Sequence, residues 1–158
     1  MKAVIDPSAA LKWQFKDEEA SEATFRLLKD FVQGKIELIT ATLFSYEILS
    51  ALNVAINRGR ISEAIGQKAL TYLTSLGIEE EIFDNLIETI FKIARKHHLS
   101  AYDSAYIALA EKEECNLYTG DKKLFNAAKV HLPRVKWIGN YQISQMFDSG
   151  KIPKNHQE

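Results

Sequence analysis

The sequence opens M-K-A-V-I-D-P-S (residues 1–8), and the reading of those eight residues decides the fold. Ala3, Val4 and Ile5 form a short unbroken apolar run, the form of a strand buried on both faces, and the run stops at the carboxylate of Asp6. Aspartate accepts bonds from the open amides of a helix start and proline suits the first helical position, so at Asp6-Pro7 the strand passes into a helix. The same form returns in N-L-Y-T-G-D-K-K-L (116–124), where another apolar run ends at Gly120 and Asp121. In an open sheet of parallel strands the carboxyl ends share one edge, and that edge is where ligands bind.

Working outward, a strand at 3–6 leads to a helical stretch through Leu11 and Trp13 and a second helix over about 18–33, which Gly34 ends. A strand at 36–40 follows, then a helix from about 43 to 57 in which Phe44, Ile48, Leu52 and Ala55 recur at three- and four-residue intervals, with Gly59 as its stop. Residues 61–76 carry a further helix beginning near Ser62 and ended by Gly77, and 78–83 a short strand. Helices are predicted at 85–97 and 100–114, and strands at 116–119 and 135–138 flank a helix that begins at Asp121. This alternation predicts an α/β fold, a three-layer α/β/α sandwich around a mostly parallel sheet. With 158 residues, 46% of them hydrophobic, the chain suits one domain over 1–148, followed by a polar, mobile tail over 149–158.

Twenty basic and 21 acidic side chains leave a net charge of −1, which excludes a small, wholly basic nucleic-acid-binding domain. The distribution of charge therefore matters more than its sum. A single cysteine, Cys115, allows no internal disulfide, and no apolar stretch reaches the roughly 20 residues that span a membrane. Asp6 and Lys12 interrupt any secretory apolar region, and the expected setting is a reduced cytoplasm.

Four acids, Asp6, Glu47, Asp103 and Asp121, each stand where an apolar run gives way to a turn or a new helix. Each also has a plain structural explanation. Asp6 and Asp121 serve as helix caps, Ser100-Ala-Tyr-Asp103 is a capping box, and Glu47 on the flank of an apolar face is an ordinary solvated glutamate. Capping accounts for the positions one by one but not for the set, because all four would face the same sheet edge. Four carboxylates in one pocket repel unless a proton or a cation intervenes, and hard oxygen ligands select Mg²⁺ or Mn²⁺ over zinc. Such an ion bound mainly by water and one or two carboxylates points to phosphate chemistry. The chain has no phosphate-binding loop or dinucleotide turn, and no histidine stands near Ser8, Ser104 or Thr119 to activate a serine, which leaves hydrolysis by an activated water. His97-His98 falls at a helix end, where it complements the macrodipole.

Taken together, V-I-D-P-S-A-A-L-K-W, Y-E-I-L-S-A-L, L-S-A-Y-D-S-A-Y-I-A-L-A and L-Y-T-G-D-K-K-L-F-N-A-A, in that order over roughly 2–140, resemble the PIN-domain ribonucleases, especially the VapC-type toxins of toxin–antitoxin pairs. The resemblance implies an endoribonuclease dependent on Mg²⁺ or Mn²⁺, held in check by a cognate VapB-type antitoxin and built as a homodimer. Carried over by motif, Asp6, Glu47, Asp103 and Asp121 form the acidic constellation, with Ser8 and Thr119 as nearby hydroxyls. Asp6 and Asp103 are then the direct metal ligands, Asp121 serves through water or a second ion, and Glu47 orients the attacking water. Lys12, Arg58, Arg60, Lys122 and Lys123 are candidates for gripping the RNA backbone, and the helices at 43–57 and 61–76 offer a hairpin groove for an antitoxin segment. Two other readings stay open at the level of sequence: a PIN nuclease that processes ribosomal RNA, and a catalytically silent PIN-like scaffold.

Overall fold

In a computed structural model that describes residues 1–15, 21–82 and 85–142, β1 (Lys2–Ile5) runs into α1 (Pro7–Leu11), and α2 (Ser21–Val32) leads to β2 (Glu37–Ala41). Next come α3 (Phe44–Asn57), α4 (Glu63–Ser75), the short β3 (Glu79–Glu81), α5 (Ile87–His97) and α6 (Ala101–Lys112). The described chain ends through β4 (Asn116–Thr119), α7 (Lys122–Ala128), β5 (Val135–Trp137) and a 3-10 turn at Ile138–Asn140. The predicted tail at 149–158, the start of the predicted 18–33 helix and the last residue of the 78–83 strand lie outside the described residues.

The five strands form one sheet in the order β3-β2-β1-β4-β5, and every neighbouring pair is parallel. Lys2, Ala3 and Val4 face Glu37, Leu38 and Ile39 on one side, while Ala3, Val4 and Ile5 face Asn116, Leu117 and Tyr118 on the other. The chain builds outward from β1 to β3, then returns and builds outward again from β4. A right-handed crossover puts its helices on one face when the chain moves one way and on the opposite face when it moves back. The two cores follow that rule. Ala3, Ile5, Leu38 and Tyr118 pack with α1 to α4, whereas Val4, Ile39 and Leu117 pack with α6 and α7. Where the direction reverses, between β1 and β4, the helices diverge to opposite faces and leave a crevice at the strands' carboxyl ends.

Local chemistry explains most element boundaries. Ser62 and Ser100 cap α4 and α6 through their hydroxyls, and Gly34, Gly59 and Gly77 take the positive φ angles that follow helix ends. The structure also shows where the sequence was less explicit. Helix α5 begins at Ile87 rather than 85 and is closed by His98 in the left-handed region, φ 54°, with no glycine to mark it. β3 is confined to Glu79, Glu80 and Glu81, because a run of three charges suits only an edge strand that pairs on one side.

Buried polar bonds lock the layers. Thr40 Oγ1 donates to the Ile5 carbonyl at 2.8 Å, Trp13 Nε1 to the Thr24 carbonyl at 3.0 Å, and Tyr141 Oη to Asp30 Oδ2 at 2.9 Å. At the crevice the two strand ends meet with no room to spare. A Cβ on Gly120 would lie 2.5 Å from the Ser8 carbonyl oxygen and 2.7 Å from its carbon, both backbone atoms that cannot swing aside. Gly120→Ala is therefore expected to destabilise the fold by about 1–3 kcal/mol, read as a lower urea midpoint. An unchanged midpoint would show that the ends of β1 and β4 are not in this contact.

Candidate active site

Each of the four sequence-predicted acids stands at the start of a helix that leaves or approaches the same sheet edge. Asp6 caps α1 directly after β1, and Asp121 caps α7 directly after β4. Glu47 lies in the first turn of α3, which begins three residues beyond β2. Asp103 lies in the first turn of α6, and because α6 passes into β4 through only Glu113–Cys115, its opposite end is the one at the carboxyl edge. The positive ends of these helix dipoles favour negative charge there.

At the centre is the Ser8 hydroxyl. It donates to Asp6 Oδ1 at 2.6 Å, accepts from the Gly120 amide at 2.9 Å and lies 3.2 Å from Thr119 Oγ1. Asp6 Oδ1 also accepts from the Ala9 amide at 2.9 Å, and Thr119 Oγ1 accepts from the Asp121 amide at 3.0 Å. Asp121 Oδ1 in turn takes the Lys123 and Leu124 amides at 2.7 and 3.2 Å. Asp103 is held by Ser100, whose hydroxyl donates to Asp103 Oδ2 at 2.7 Å and accepts from the Asp103 amide at 3.0 Å. Glu47 Oε2 receives a short bond from the Tyr106 hydroxyl, one turn beyond Asp103 on α6.

The electrostatics tie the acids together. Asp6 is almost wholly buried, and burial pushes its carboxyl up to about 6 against the bonds from Ser8, Thr119 and Ala9, with Asp103 raising it further. Burial raises Glu47, opposed by the Tyr106 bond and reinforced by Asp103. Burial also raises Asp103, the Ser100 bond opposes it, and the charges of Asp121 and Lys123 push it up and down respectively. Asp6, Glu47 and Asp121 thus each feel or exert a field through Asp103, which makes that residue the middle of the constellation.

All the donors here are oxygens, and among the described residues no three His, Cys, Asp or Glu side chains converge closely enough to cage an ion by themselves. That open arrangement fits Mg²⁺, which keeps most of its waters and takes one or two carboxylates. It does not fit a closed zinc site, and Cys115, buried beyond the far end of α6, takes no part.

The predicted basic residues separate into two groups. Lys12 and Lys122 stand by the site, their ammonium groups 5.4 and 5.6 Å from the centre of the Trp137 ring, and Lys123 acts on Asp103. Arg58 and Arg60 do not join them. They follow the far end of α3, about 16 Å along its axis from Glu47. Tyr106 was missed by sequence reasoning, because α6 is buried from Ser104 to Ala110 and its apolar pattern singles out no residue. The available signal was a hydroxyl three residues after Asp103, on the same side of the helix.

The description "PIN domain" belongs to the family model that matches residues 3–130. Ribonuclease VapC9 of Mycobacterium tuberculosis is 32% identical over 130 residues, which cover 82% of this chain and 94% of that protein. Ribonuclease VapC3 of Pyrobaculum aerophilum is 32% identical over 126 residues, covering 78% and 92%. Among solved structures, the crystal structure of PAE2754 from Pyrobaculum aerophilum superposes with a TM-score of 0.62 at 21% identity, over 80% of this chain and 79% of that one, a likeness of fold. Sequence relatives that align along nearly their whole length and a family model that covers the acid-bearing strand ends agree: the chain belongs to the PIN-domain family, among its VapC-type ribonucleases.

Proposed function

We propose that the chain is the toxin of a VapC-type toxin–antitoxin pair, an endoribonuclease that hydrolyses RNA phosphodiester bonds at Asp6, Glu47, Asp103 and Asp121 with Mg²⁺ or Mn²⁺. What supports this reading is that four acids stand at helix starts along the switch-point edge, three of them with raised pKa values and with Asp103 acting on both Asp6 and Glu47. A scaffold without catalytic duty has no need of that repulsion. The lone buried thiol and a reduced cytoplasmic setting agree with this role, and no described helix is long and apolar enough to cross a membrane.

In this mechanism Asp6 and Asp103 would hold the ion, Asp121 would support it through water or a second ion, and Ser8 and Thr119 keep Asp6 ionised and aimed. A bound Mg²⁺ acidifies water and neutralises charge on the phosphoryl group. Tyr106 occupies Glu47 Oε2, which leaves Oε1 to orient the attacking water and accept its proton. Attack in line on phosphorus then breaks the bond to the departing ribose oxygen, which leaves as a hydroxyl by taking a proton from solvent water while Glu47 returns its own to solvent, and no covalent enzyme intermediate forms. Lys12, Lys122 and Lys123 grip the backbone next to the cut.

The antitoxin of this proposal is a VapB-type protein that lays an amphipathic segment along α1, α3 and α4. Leu11, Phe15, Ala55 and Ile61 line a cavity of about 380 Å³ there, with a smaller one beside Leu49 and Ile56. Arg60 borders the larger cavity, so its role shifts from RNA to the antitoxin, and Arg58 at the same helix end goes with it. A second copy would cover Ile87 and Phe91, one turn apart on α5 and 65% and 66% exposed.

Purified protein is expected to cut a labelled mixed RNA with Mg²⁺ or Mn²⁺ and not in EDTA, and Asp6→Asn and Asp103→Asn are each expected to abolish cutting. Cleavage that survives either substitution, or that needs no metal, sinks the mechanism. Tyr106→Phe removes a bond that lowers the Glu47 pKa, so kcat should fall about 10- to 100-fold and the acid limb of the pH–rate profile should move to higher pH. An unmoved profile would take Tyr106 out of the mechanism.

Asp6 also links function to stability. Its folded pKa of about 6 lies above the ordinary aspartate value of 3.8, so the folded chain binds the proton more tightly and stability is lost as pH rises between those values. The full penalty, about 3 kcal/mol, is present at pH 7. Asparagine keeps the capping bonds without the charge. In EDTA at pH 7, Asp6→Asn should therefore melt above wild type, with the gap closing towards pH 4, and Mg²⁺ should stabilise only the wild type. A variant less stable than wild type at pH 7 would show that the carboxylate is not strained.

A further inference from the structure

Beyond the acids the sheet ends at β5, and against that edge lies a cleft of about 430 Å³ whose lining includes Tyr118, Phe125, Lys129, Lys136 and Trp137. Its volume is that of a small-ligand site, and among the described residues no acidic side chain lines it. Phe125 and Trp137 are partly exposed, with ring centres 6.5 Å apart and planes inclined at 44°. Lysines frame both rings. Besides Lys12 and Lys122 at Trp137, Lys129 Nζ lies 5.7 Å from the centre of Phe125. In a chain of net charge −1, this is a local concentration of cations around aromatic faces.

Trp137, which lines the cleft, is also the ring beside Lys12 and Lys122 at the acidic edge. Lys122 follows Asp121 directly, and the Cε of Lys12 lies 2.8 Å from where a Cβ on Gly120 would stand, so both ammonium groups span from the strand end to Trp137. Helix α7 then carries the track onward, with Lys129 about 10 Å along its axis from Lys122.

We propose that this cleft holds unpaired nucleotides beside the scissile bond, with one base stacked on Trp137 and the neighbouring phosphates on Lys12, Lys122 and Lys129. The inference rests on the ribonuclease reading above and adds to it a base-stacking subsite at the β5 edge, with Trp137 as its platform. A cationic groove with aromatic platforms is the physical requirement for single strands, since every base has a π-face and every nucleotide a charge. An arriving base replaces an ammonium–ring contact with a stack, and the released ammonium group pairs with the phosphate. A base inside a duplex already has both faces covered and cannot make that exchange.

The protein has two tryptophans, and Trp13 is only 4% exposed, so quenchable fluorescence reports on Trp137. With EDTA present to prevent cutting, a short oligoadenylate should quench it saturably. Anisotropy of the labelled oligonucleotide should show Trp137→Leu binding about 5- to 150-fold more weakly, the worth of one base–aromatic stack, while Trp137→Phe stays near wild type and shows that the site still folds. Lys129→Gln should reduce the slope of log affinity against log salt by about 0.7. Unchanged affinity in Trp137→Leu, or equal quenching by a blunt duplex RNA, would overturn the proposal. The two readings fail separately: RNA cutting by wild type with Trp137→Leu unaltered in KM removes the cleft alone, whereas stacking without any metal-dependent cutting removes the ribonuclease reading and leaves the cleft.

Discussion

The Ser8 hydroxyl ties together the ends of the two central strands, and the candidate site depends on that knot. Ser8 and Gly120 are 112 residues apart in sequence, yet the hydroxyl accepts the Gly120 amide while donating to Asp6. Only a sheet that reverses its direction of growth between β1 and β4 brings these residues side by side. The reversal opens the crevice, the lack of a Cβ at Gly120 lets the backbones close on each other, and the serine sets the carboxylate that both strands frame. Asp6 and Asp121 owe their proximity to this contact.

Glu47 and Asp103 arrive by a different route, on helices from opposite layers. α3 packs on one face of the sheet and α6 on the other, and their first turns meet above its carboxyl edge. The bond from Tyr106 to Glu47 crosses between those layers. It satisfies a buried phenol and a half-buried carboxylate at once, and it couples the position of one acid to the helix that carries another. Burying acids close together is unfavourable in the metal-free protein, and the raised pKa values of Asp6, Glu47 and Asp103 express that. The site is strained electrostatically rather than sterically, and a bound cation would relieve that strain.

Much of this was legible from local chemistry. Asp6-Pro7, Ser100 with Asp103, and Asp121 announce helix starts because a side-chain oxygen three residues from an open amide is a short-range matter, and each of those caps is present. The strands at 116–119 and 36–40 were equally plain, since their inner residues are mostly apolar and the observed Asn116–Thr119 and Glu37–Ala41 bury all but their first residue. Less could be read where the signal was not apolar. The strand predicted over 78–83 is present but short, Glu79–Glu81, and His98 closes α5 without glycine.

By itself, then, the sequence determined the alternation of strands and helices and the parallel sheet, which follow from periodicity and capping within a few residues, and it singled out four acids at the strand ends and helix starts. Only the tertiary structure decided which side chains serve those acids. Tyr106 reaches Glu47 across 59 residues, Lys12 and Lys122 share the ring of Trp137, and Arg58 and Arg60 follow the end of α3 opposite Glu47. Such pairings depend on strand order and on the face each crossover takes. Those are set by the packing of the whole chain, and no local pattern carries them.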